Sequence, residues 1–214
     1  SLSVRVVVME LPTRNAVRRA GKNAAEAGQI DRIKFEDMKV LECWRRAHLR
    51  PLTGVAMWLR KPALEFTGLA PAQRLKRRDT FLDKLITGRA RDASTMQDIG
   101  GCRIIFPDIH TLEEFQVYLE KYSRQNHRLS HDPGRYNYIN APKRTGYRGV
   151  HYVYCFSSRA QNLSALNGLR VELQLRTGVQ HAWATAVEIA DLVSGTRTKF
   201  EDGSGTHGAF FCLT

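Results

Sequence analysis

The 214-residue chain contains no apolar run approaching a membrane span, and no charged-then-apolar leader opens it. The expected setting is therefore a reducing, cytosolic one, with no membrane as partner. Cysteine is scarce. Cys43, Cys102, Cys155 and Cys212 lie far apart, with no CxxC and no Cys/His pairing, which excludes zinc modules and a disulfide framework. The first three sit in apolar patterns and read as reduced core residues. A Walker-type phosphate loop is also missing, because Gly100-Gly101 lacks the surrounding glycine–lysine pattern. Neither an internal repeat nor a low-complexity linker is present. Acidic residues are few: 21 Asp plus Glu stand against 33 Lys plus Arg, a net charge of +12. Such a surplus suits polyanions, whether nucleotides, RNA or an acidic protein, and does not choose among them.

What is there reads in three stretches. Residues 12 to 62 are predicted helical, with Phe35, Met38, Leu41 and Trp44 at helical spacing, a break or fresh start at Pro51, and a second stripe of Leu52, Val55, Trp58 and Leu59. Residues 73 to 91 are strongly basic, with Thr80 to Asp83 resembling a capping box and Gly88 a stop. From residue 98 strands and helices alternate. Gly101 to Phe106 reads as a strand. A helix follows over 111 to 124, opened by a capping box of Thr111 and Glu114. Val150 to Phe156 and a strand around Leu169 to Thr177 come next, then a helix whose stripe is Val179, Ala182, Trp183, Ala186, Ala190 and Val193. The fold class is α/β or α+β with a mixed sheet. Residues 1–62 form a helical extension, 63–194 the core, and 195–214 a polar, glycine-rich tail. The tail turns apolar at Ala209 to Leu213 and reads as cut from a longer chain, because an apolar run needs something to pack on.

Four segments carry chemistry. In the last strand Leu169, Val171, Leu173 and Leu175 share one face while Arg170, Glu172, Gln174 and Arg176 share the other, a carboxylate, an amide and a guanidinium in register. Arg74-Leu75-Lys76-Arg77-Arg78 leads into a helix bearing Lys84, a place where free amides and the helix dipole add to side-chain charge for a polyphosphate. A charge run is more often a solvated face. Asp98 precedes Gly100-Gly101 and a strand. Asp98 with Glu172 would supply the one or two carboxylates that magnesium takes when nucleotide phosphates complete its shell, although a lone turn aspartate is as common. Tyr147, between Gly146 and Arg148, offers an aromatic plane for a purine, and its bland alternative is a tyrosine capping a sheet edge. His151, alone, would more often be a structural hydrogen-bonder.

In this order the segments resemble the synthetase domain of the RelA/SpoT family, over about residues 74 to 190. Arg74-x-Lys76-x-x-x-Thr80-x-x-x-Lys84 resembles the family's ATP-binding stretch, with threonine where serine is usual. Asp98-Ile99-Gly100-Gly101-Cys102-Arg103 resembles its magnesium-aspartate motif, and Pro142 to His151 its acceptor loop. Val171 to Thr177, followed by His181-Ala182-Trp183-Ala184, resembles its catalytic-glutamate strand and next helix. More weakly, Ala20-Gly21-Lys22 and Trp44 to Leu52 resemble the helical lead-in of a small, prophage-type or toxin-like branch.

The resemblance implies a nucleotidyltransferase-like mixed sheet and transfer of the β,γ-pyrophosphate of ATP to a ribose 3′-hydroxyl, with Mg²⁺ as cofactor. Arg74, Lys76, Lys84 and Arg103 would neutralise ATP phosphates. Asp98 would hold the metal, and Glu172 would share it and act as, or position, the base. Tyr147 would stack on the acceptor base, with Lys143, His151 and Gln174 fixing its sugar and phosphates. The acceptor would be GDP or GTP, giving an alarmone, or ADP or ATP. The toxin-like branch adds the 3′ end of tRNA as an alternative acceptor and a neutralising antitoxin or immunity protein as a partner. A basic RNA- or partner-binding module without catalysis is the other alternative, against which the two retained carboxylates speak. Thr145 stands where asparagine is common and Gly149 where serine is, and the excursion around Ser157 to Gly168 is long; these departures bear on the acceptor. No hydrolase-type His-Asp motif is present, so synthesis without degradation is expected.

Overall fold

The computed structural model describes residues 11–122 and 127–194, and the apolar run expected at 209–213 lies outside the described residues. The N-terminal stretch forms α1 (Arg14–Ala27), α2 (Phe35–Ala47) and α3 (Leu49–Thr67). Pro51 falls in the first turn of α3, where its missing amide costs no helical hydrogen bond. The four residues expected in the α2 stripe divide: Leu41 and Trp44 are buried, Met38 is half-buried and Phe35 points to solvent. The stripe of α3 is inward as expected, with Leu52, Val55 and Leu59 buried and Trp58 packed against them.

Five strands form one mixed sheet in the order β1-β2-β5-β4-β3: β1 (Ala72–Leu75), β2 (Gly100–Phe106), β3 (Arg128–Leu129), β4 (Val150–Cys155) and β5 (Arg170–Thr177). β2 and β5 are parallel; every other pairing is antiparallel. Three further helices are α4 (Arg78–Ile86), α5 (Ile109–Tyr122) and α6 (Gly178–Ser194). The helix openings differ from expectation. Thr80 lies inside α4, whose N-cap Arg77 makes no side-chain cap, and α5 is capped by Asp108, whose Oδ1 accepts from the Thr111 amide at 2.8 Å. Capping-box spacing alone does not locate the cap when an Asx residue stands just upstream. Gly88, at φ 70°, does follow the end of α4.

Two apolar clusters fix this arrangement. On one face of the sheet Cys102, Ile104, Phe106, Tyr152, Tyr154, Val171, Leu173 and Leu175 pack against α3 and α5. The second cluster joins α1, α2 and α4 through Val17, Leu41, Trp44, Phe81, Leu82 and Leu85, with Ile99 and Leu169 tying it to the strands. The division at residue 62 therefore falls inside α3, whose inner side belongs to the sheet's own core. A Cβ at Gly100 would stand 3.4 Å from Leu52 Cβ and 3.6 Å from the His48 carbonyl oxygen, in van der Waals contact, so the α2–α3 corner seats directly on the start of β2. Of the cysteines expected in the core, Cys102 is buried and Cys43 and Cys155 are half-buried, and burial pushes the Cys102 thiol up to about 12.

α6 covers the opposite face and corrects one expectation. Ala184 and Val187 meet the sheet, while Val179, Ala182, Ala186 and Val193 face outward. The small size of Ala184 lets the helix lie close, so a shorter apolar set than the one counted from sequence serves as the inner face.

Candidate active site

Alternation in β5 puts Glu172, Gln174 and Arg176 on the face away from α3 and α5, and register brings their neighbours level. Gly101 of β2 pairs with both Arg74 of β1 and Glu172; Arg103 pairs with Gln174; His151 of β4 pairs with Gln174 from the other side. This face was expected to be wet, and it is largely covered. Glu172 and Gln174 are half-buried and Arg176 is 4% exposed, because α6 and the loop before β4 lie over them. Gly101 carries no side chain between Arg74 and Glu172, leaving that stretch of floor bare.

At one end stands Asp98. Its Oδ2 accepts from Lys76 Nζ at 2.8 Å and Lys84 Nζ at 2.5 Å, so two elements, the β1–α4 connection and α4 itself, converge on one carboxylate oxygen. Burial works to raise the Asp98 pKa, but the two ammonium charges outweigh it and hold the carboxyl below its ordinary value. Burial lowers Lys76, with Asp98 opposing. Asp98 and Glu172 lie close enough to feel each other's charge.

At the other end five side chains close a hydrogen-bonded ring. Glu172 Oε1 meets His151 Nδ1 at 2.8 Å, His151 Nε2 meets Tyr147 OH at 2.6 Å, and Arg176 Nε donates to Tyr147 OH at 3.0 Å. Arg176 also donates to Gln174 Oε1 at 2.9 Å, and Gln174 Nε2 donates to Glu172 Oε2 at 2.7 Å. Tyr147 OH accepts from Arg176, and its bond to His151 Nε2, with that from His151 Nδ1 to Glu172, closes the ring through the imidazole. Burial works to raise the Glu172 pKa, but the His151 and Gln174 hydrogen bonds prevail and keep it lowered. Burial raises Tyr147, against the pull of Arg176.

Tyr147 is the clearest difference from the sequence reading. Its ring is 5% exposed, flanked by the Arg176 guanidinium at 5.0 Å and the Lys143 ammonium at 5.3 Å, with Trp183 alongside. Lys143 sits nearer the ring of Tyr138, at 4.3 Å, and Tyr138 meets both Tyr147 and His151 edge-on. In this arrangement an incoming base reaches Tyr147 only if Lys143 lifts. Arg103, grouped by sequence with the donor-side cations, is placed by its contacts at the Gln174 end: it donates to Gln174 Oε1 at 3.3 Å and lies 3.5 Å from His181 Nδ1. Its Nε is buried without a partner. Burial and the Arg176 charge lower the Arg103 pKa. Arg74 is exposed on the same face and near enough to Arg103 to lower it further. Tyr138 was not singled out from the sequence, whereas Arg176 was read there as the guanidinium of the alternating face and His181 as part of a motif, neither with a role of its own.

The residues fit a divalent ion bound with a phosphorylated ligand. No cluster of three metal-ligating side chains occurs among the described residues, but a hard cation bound through substrate phosphates needs only one or two protein carboxylates, and Asp98 and Glu172 are two.

Gly149 explains itself here. At φ 152° and with a Cβ position 3.1 Å from Tyr147 OH and 3.3 Å from Arg176 Cγ, it lets the loop pass against the ring. Thr145 Oγ is buried with no partner.

Residues 73–191 match the model of the region found in RelA/SpoT proteins, and the chain belongs to that family. Similar solved structures include small alarmone synthetase 2 from Bacillus subtilis, at 18% identity and TM-score 0.62, covering 79% of this chain and 86% of that one. Small alarmone synthetase 1 from the same organism, bound to its product pppGpp, aligns at 18% identity and TM-score 0.60, covering 79% and 88%. A GTP pyrophosphokinase family protein from Streptococcus pneumoniae aligns at 20% identity and TM-score 0.60, covering 80% and 85%. No curated protein sequence matches the chain significantly. At these identities the likeness speaks for the fold: an α+β mixed sheet flanked by helices, with a helical N-terminal extension. No helix among the described residues is long and apolar enough to cross a membrane.

Proposed function

We propose that the chain is an ATP-dependent pyrophosphokinase that moves the β,γ-pyrophosphate of ATP to the ribose 3′-hydroxyl of a purine nucleotide and releases AMP. The observation that carries this reading is the pair of half-buried carboxylates, both with pKa values held below the ordinary range, set among lysines and arginines on adjoining strands. Family membership and the names of the aligned structures, alarmone synthetases and a GTP pyrophosphokinase, point the same way.

Arg74, Lys76 and Lys84 take the donor phosphates, beside the uncapped amides of the first turn of α4. Asp98 and Glu172 hold Mg²⁺, which when bound neutralises charge on the transferred group. Glu172 accepts the proton of the 3′-hydroxyl as its oxygen bonds to the β-phosphorus and the bond from that phosphorus to the α,β-bridging oxygen breaks. His151 and Gln174 hold the carboxylate at a fixed angle for that step. Catalysis of this kind rests on alignment and charge. On the acceptor side Lys143 leaves the Tyr138–Tyr147 cleft for the acceptor phosphates as the base enters against Tyr147, and Arg103 and Gln174 meet the sugar and phosphates.

The test supplies the protein with ATP labelled at the γ-phosphate and, separately, GDP, GTP, ADP, ATP or bulk tRNA. Label moving to a free purine nucleotide is the expected result; label in no acceptor would overturn the enzymatic reading in favour of a binding module. One observation supports a second reading with tRNA as acceptor: Arg135, Arg144 and Arg148 are exposed on and beside the acceptor loop. A tRNA held by those cations loses affinity steeply with salt through counterion release, and a mononucleotide does not. The toxin-like branch, and with it a neutralising partner, follows only if tRNA is labelled.

A further inference from the structure

The helical extension reaches the donor end of the site through one side chain. Arg45, in the last turn of α2, donates from Nη1 to the carbonyl oxygen of Lys76 at 2.8 Å. Lys76 stands one residue past β1 and one before the N-cap of α4, so this carbonyl lies outside both the strand ladder and the helix. The Lys76 amide donates to Ile99 O at 2.8 Å, and its Nζ donates to Asp98. The backbone of Lys76 is thus pinned on both sides while its ammonium reaches the carboxylate. Arg45 is itself held: its Nε and Nη2 donate to the two oxygens of Glu42 at 2.8 and 2.6 Å, a fork that fixes the guanidinium plane. Both side chains are half-buried, and Trp44 beside them is buried in the cluster shared by α1, α2 and α4.

We infer that Arg45, oriented by Glu42, is a positioning residue for the donor site: it fixes the β1–α4 connection so that Lys76 and the open amides of the first turn of α4 meet the donor phosphates together. This rests on the reading of the chain as an ATP-dependent enzyme. A polyphosphate taken by a lysine and by helix amides at once needs their relation set beforehand, and the residue joining strand to helix is where that relation is set. Arg45 is a brace and not itself a phosphate ligand, because all three of its nitrogens are already engaged, two by a carboxylate that offsets its charge. The matched family region begins at residue 73, so the brace is supplied from outside it.

Glu42 separates positioning from plain charge. The hydrogen bond from Arg45 lowers its pKa against burial, and Arg46 and Arg78 are near enough for their charges to lower it further. Arg78 is the first residue of α4, so Glu42 is a negative charge beside the start of the helix that takes the donor. By Coulomb's law alone, removing that charge strengthens the binding of a polyanion. If Glu42 serves to hold Arg45 on the Lys76 carbonyl, removing it weakens the same binding.

Calorimetry of the full chain with a non-hydrolysable ATP analogue and Mg²⁺, beside steady-state kinetics with GDP as acceptor, tests it. Glu42→Gln should raise the dissociation constant of the analogue roughly 2–10-fold, the worth of one ordinary hydrogen bond, and Arg45→Met roughly tenfold or more. The KM for ATP should rise in step, with kcat and the KM for GDP unchanged. A variant that merely folds less well loses active molecules, which lowers apparent kcat and leaves both KM values alone. In the Arg45→Met background Glu42→Gln should weaken binding no further. Without nucleotide, the Phe81 amide, which closes the first turn of α4 on Arg77 O at 2.9 Å, should exchange with deuterium faster in Arg45→Met. Binding unchanged or tightened by Glu42→Gln overturns the inference, as does an unaltered Phe81 exchange rate. A wild-type chain that binds no ATP analogue instead overturns the reading of function, and the inference with it.

Discussion

Asp98 and Glu172 stand at neighbouring strands of one sheet, and burial presses each towards its neutral form, yet they are kept charged by different means. Asp98 is held by two full positive charges on one oxygen, Lys76 and Lys84. Glu172 is held by an imidazole and an amide whose own orientations are locked by Tyr147 and Arg176. The first arrangement is coulombic and exchangeable: in the proposed function, phosphates would draw the lysines and a divalent ion would take their place on the carboxylate. The second is geometric, a closed ring in which no member turns without its neighbours. The end proposed to bind a highly charged donor is thus built from ammonium groups, and the end proposed to aim a base is built from hydrogen-bonded planes. Replacing each carboxylate separates the two designs. Glu172→Gln should lower pyrophosphate transfer by roughly 10²–10⁴-fold, the usual worth of a positioned base, with a smaller change in the melting curve than Asp98→Asn, because the amide keeps the shape and its oxygen still meets His151 while only its NH2 group turns towards the Gln174 donor. Asp98→Asn should also abolish measurable transfer and weaken Mg²⁺-dependent ATP binding by calorimetry. It should in addition cost about 2–3 kcal/mol of stability, since two half-buried ammoniums lose a charged hydrogen-bond acceptor. Equal loss of stability in the two variants would erase the distinction.

The ring predicts the next effect. Tyr147→Phe removes a hydroxyl that bridges two buried groups, leaving His151 Nε2 and Arg176 Nε short of partners, at about 1–3 kcal/mol in a thermal or urea melt. Read from sequence as a stacking plane, Tyr147 gave no reason to expect a cost from losing only its hydroxyl. A melt unchanged by Tyr147→Phe would mean the ring is not holding the site.

That contrast marks how much was legible beforehand. The alternation of β5 and the β2 strand were readable because period two survives any tertiary context, and the Glu172, Gln174, His151 and Asp98 positions came with the motifs. β1 was not, since four residues with an exposed-to-half-buried pattern give no period. The outward turn of the α6 stripe was also hidden: a helical stripe states that one side is apolar, and only the small inner residues Ala184 and Val187 show which side meets the sheet. Burial of Arg176 and Tyr147 follows from register across β4 and β5 and from the covering loop, long-range facts that spacing along the chain does not carry.

A smaller test concerns Gly149, where the family resemblance of the sequence implies serine. Gly149→Ala places a Cβ 3.1 Å from Tyr147 OH on a backbone at φ 152°, with strain of about 1–3 kcal/mol. The loss should be less when combined with Tyr147→Phe, because the crowding oxygen is then gone. Additive losses in that double-variant cycle would place the strain in the backbone and in the Arg176 and Leu175 contacts instead.

The smallest effect is in pH and salt, and it returns to the two carboxylates. Both have folded-state pKa values lowered from the ordinary range. A carboxyl of that kind stabilises the fold fully above its unfolded value, about 4 for Asp and Glu, and loses that contribution as pH falls through the folded value. The difference in melting temperature between the wild-type chain and Asp98→Asn should therefore be full at neutral pH and close as the medium is acidified below about pH 4; the smaller difference for Glu172→Gln should close in the same acid range. Salt distinguishes them. Raising ionic strength at neutral pH should shrink the Asp98 difference more than the Glu172 difference, because two full ammonium charges hold Asp98 whereas an amide and an imidazole hydrogen bond hold Glu172. A Glu172 difference that falls with salt as steeply as that of Asp98 would show that the two carboxylates are held by the same means.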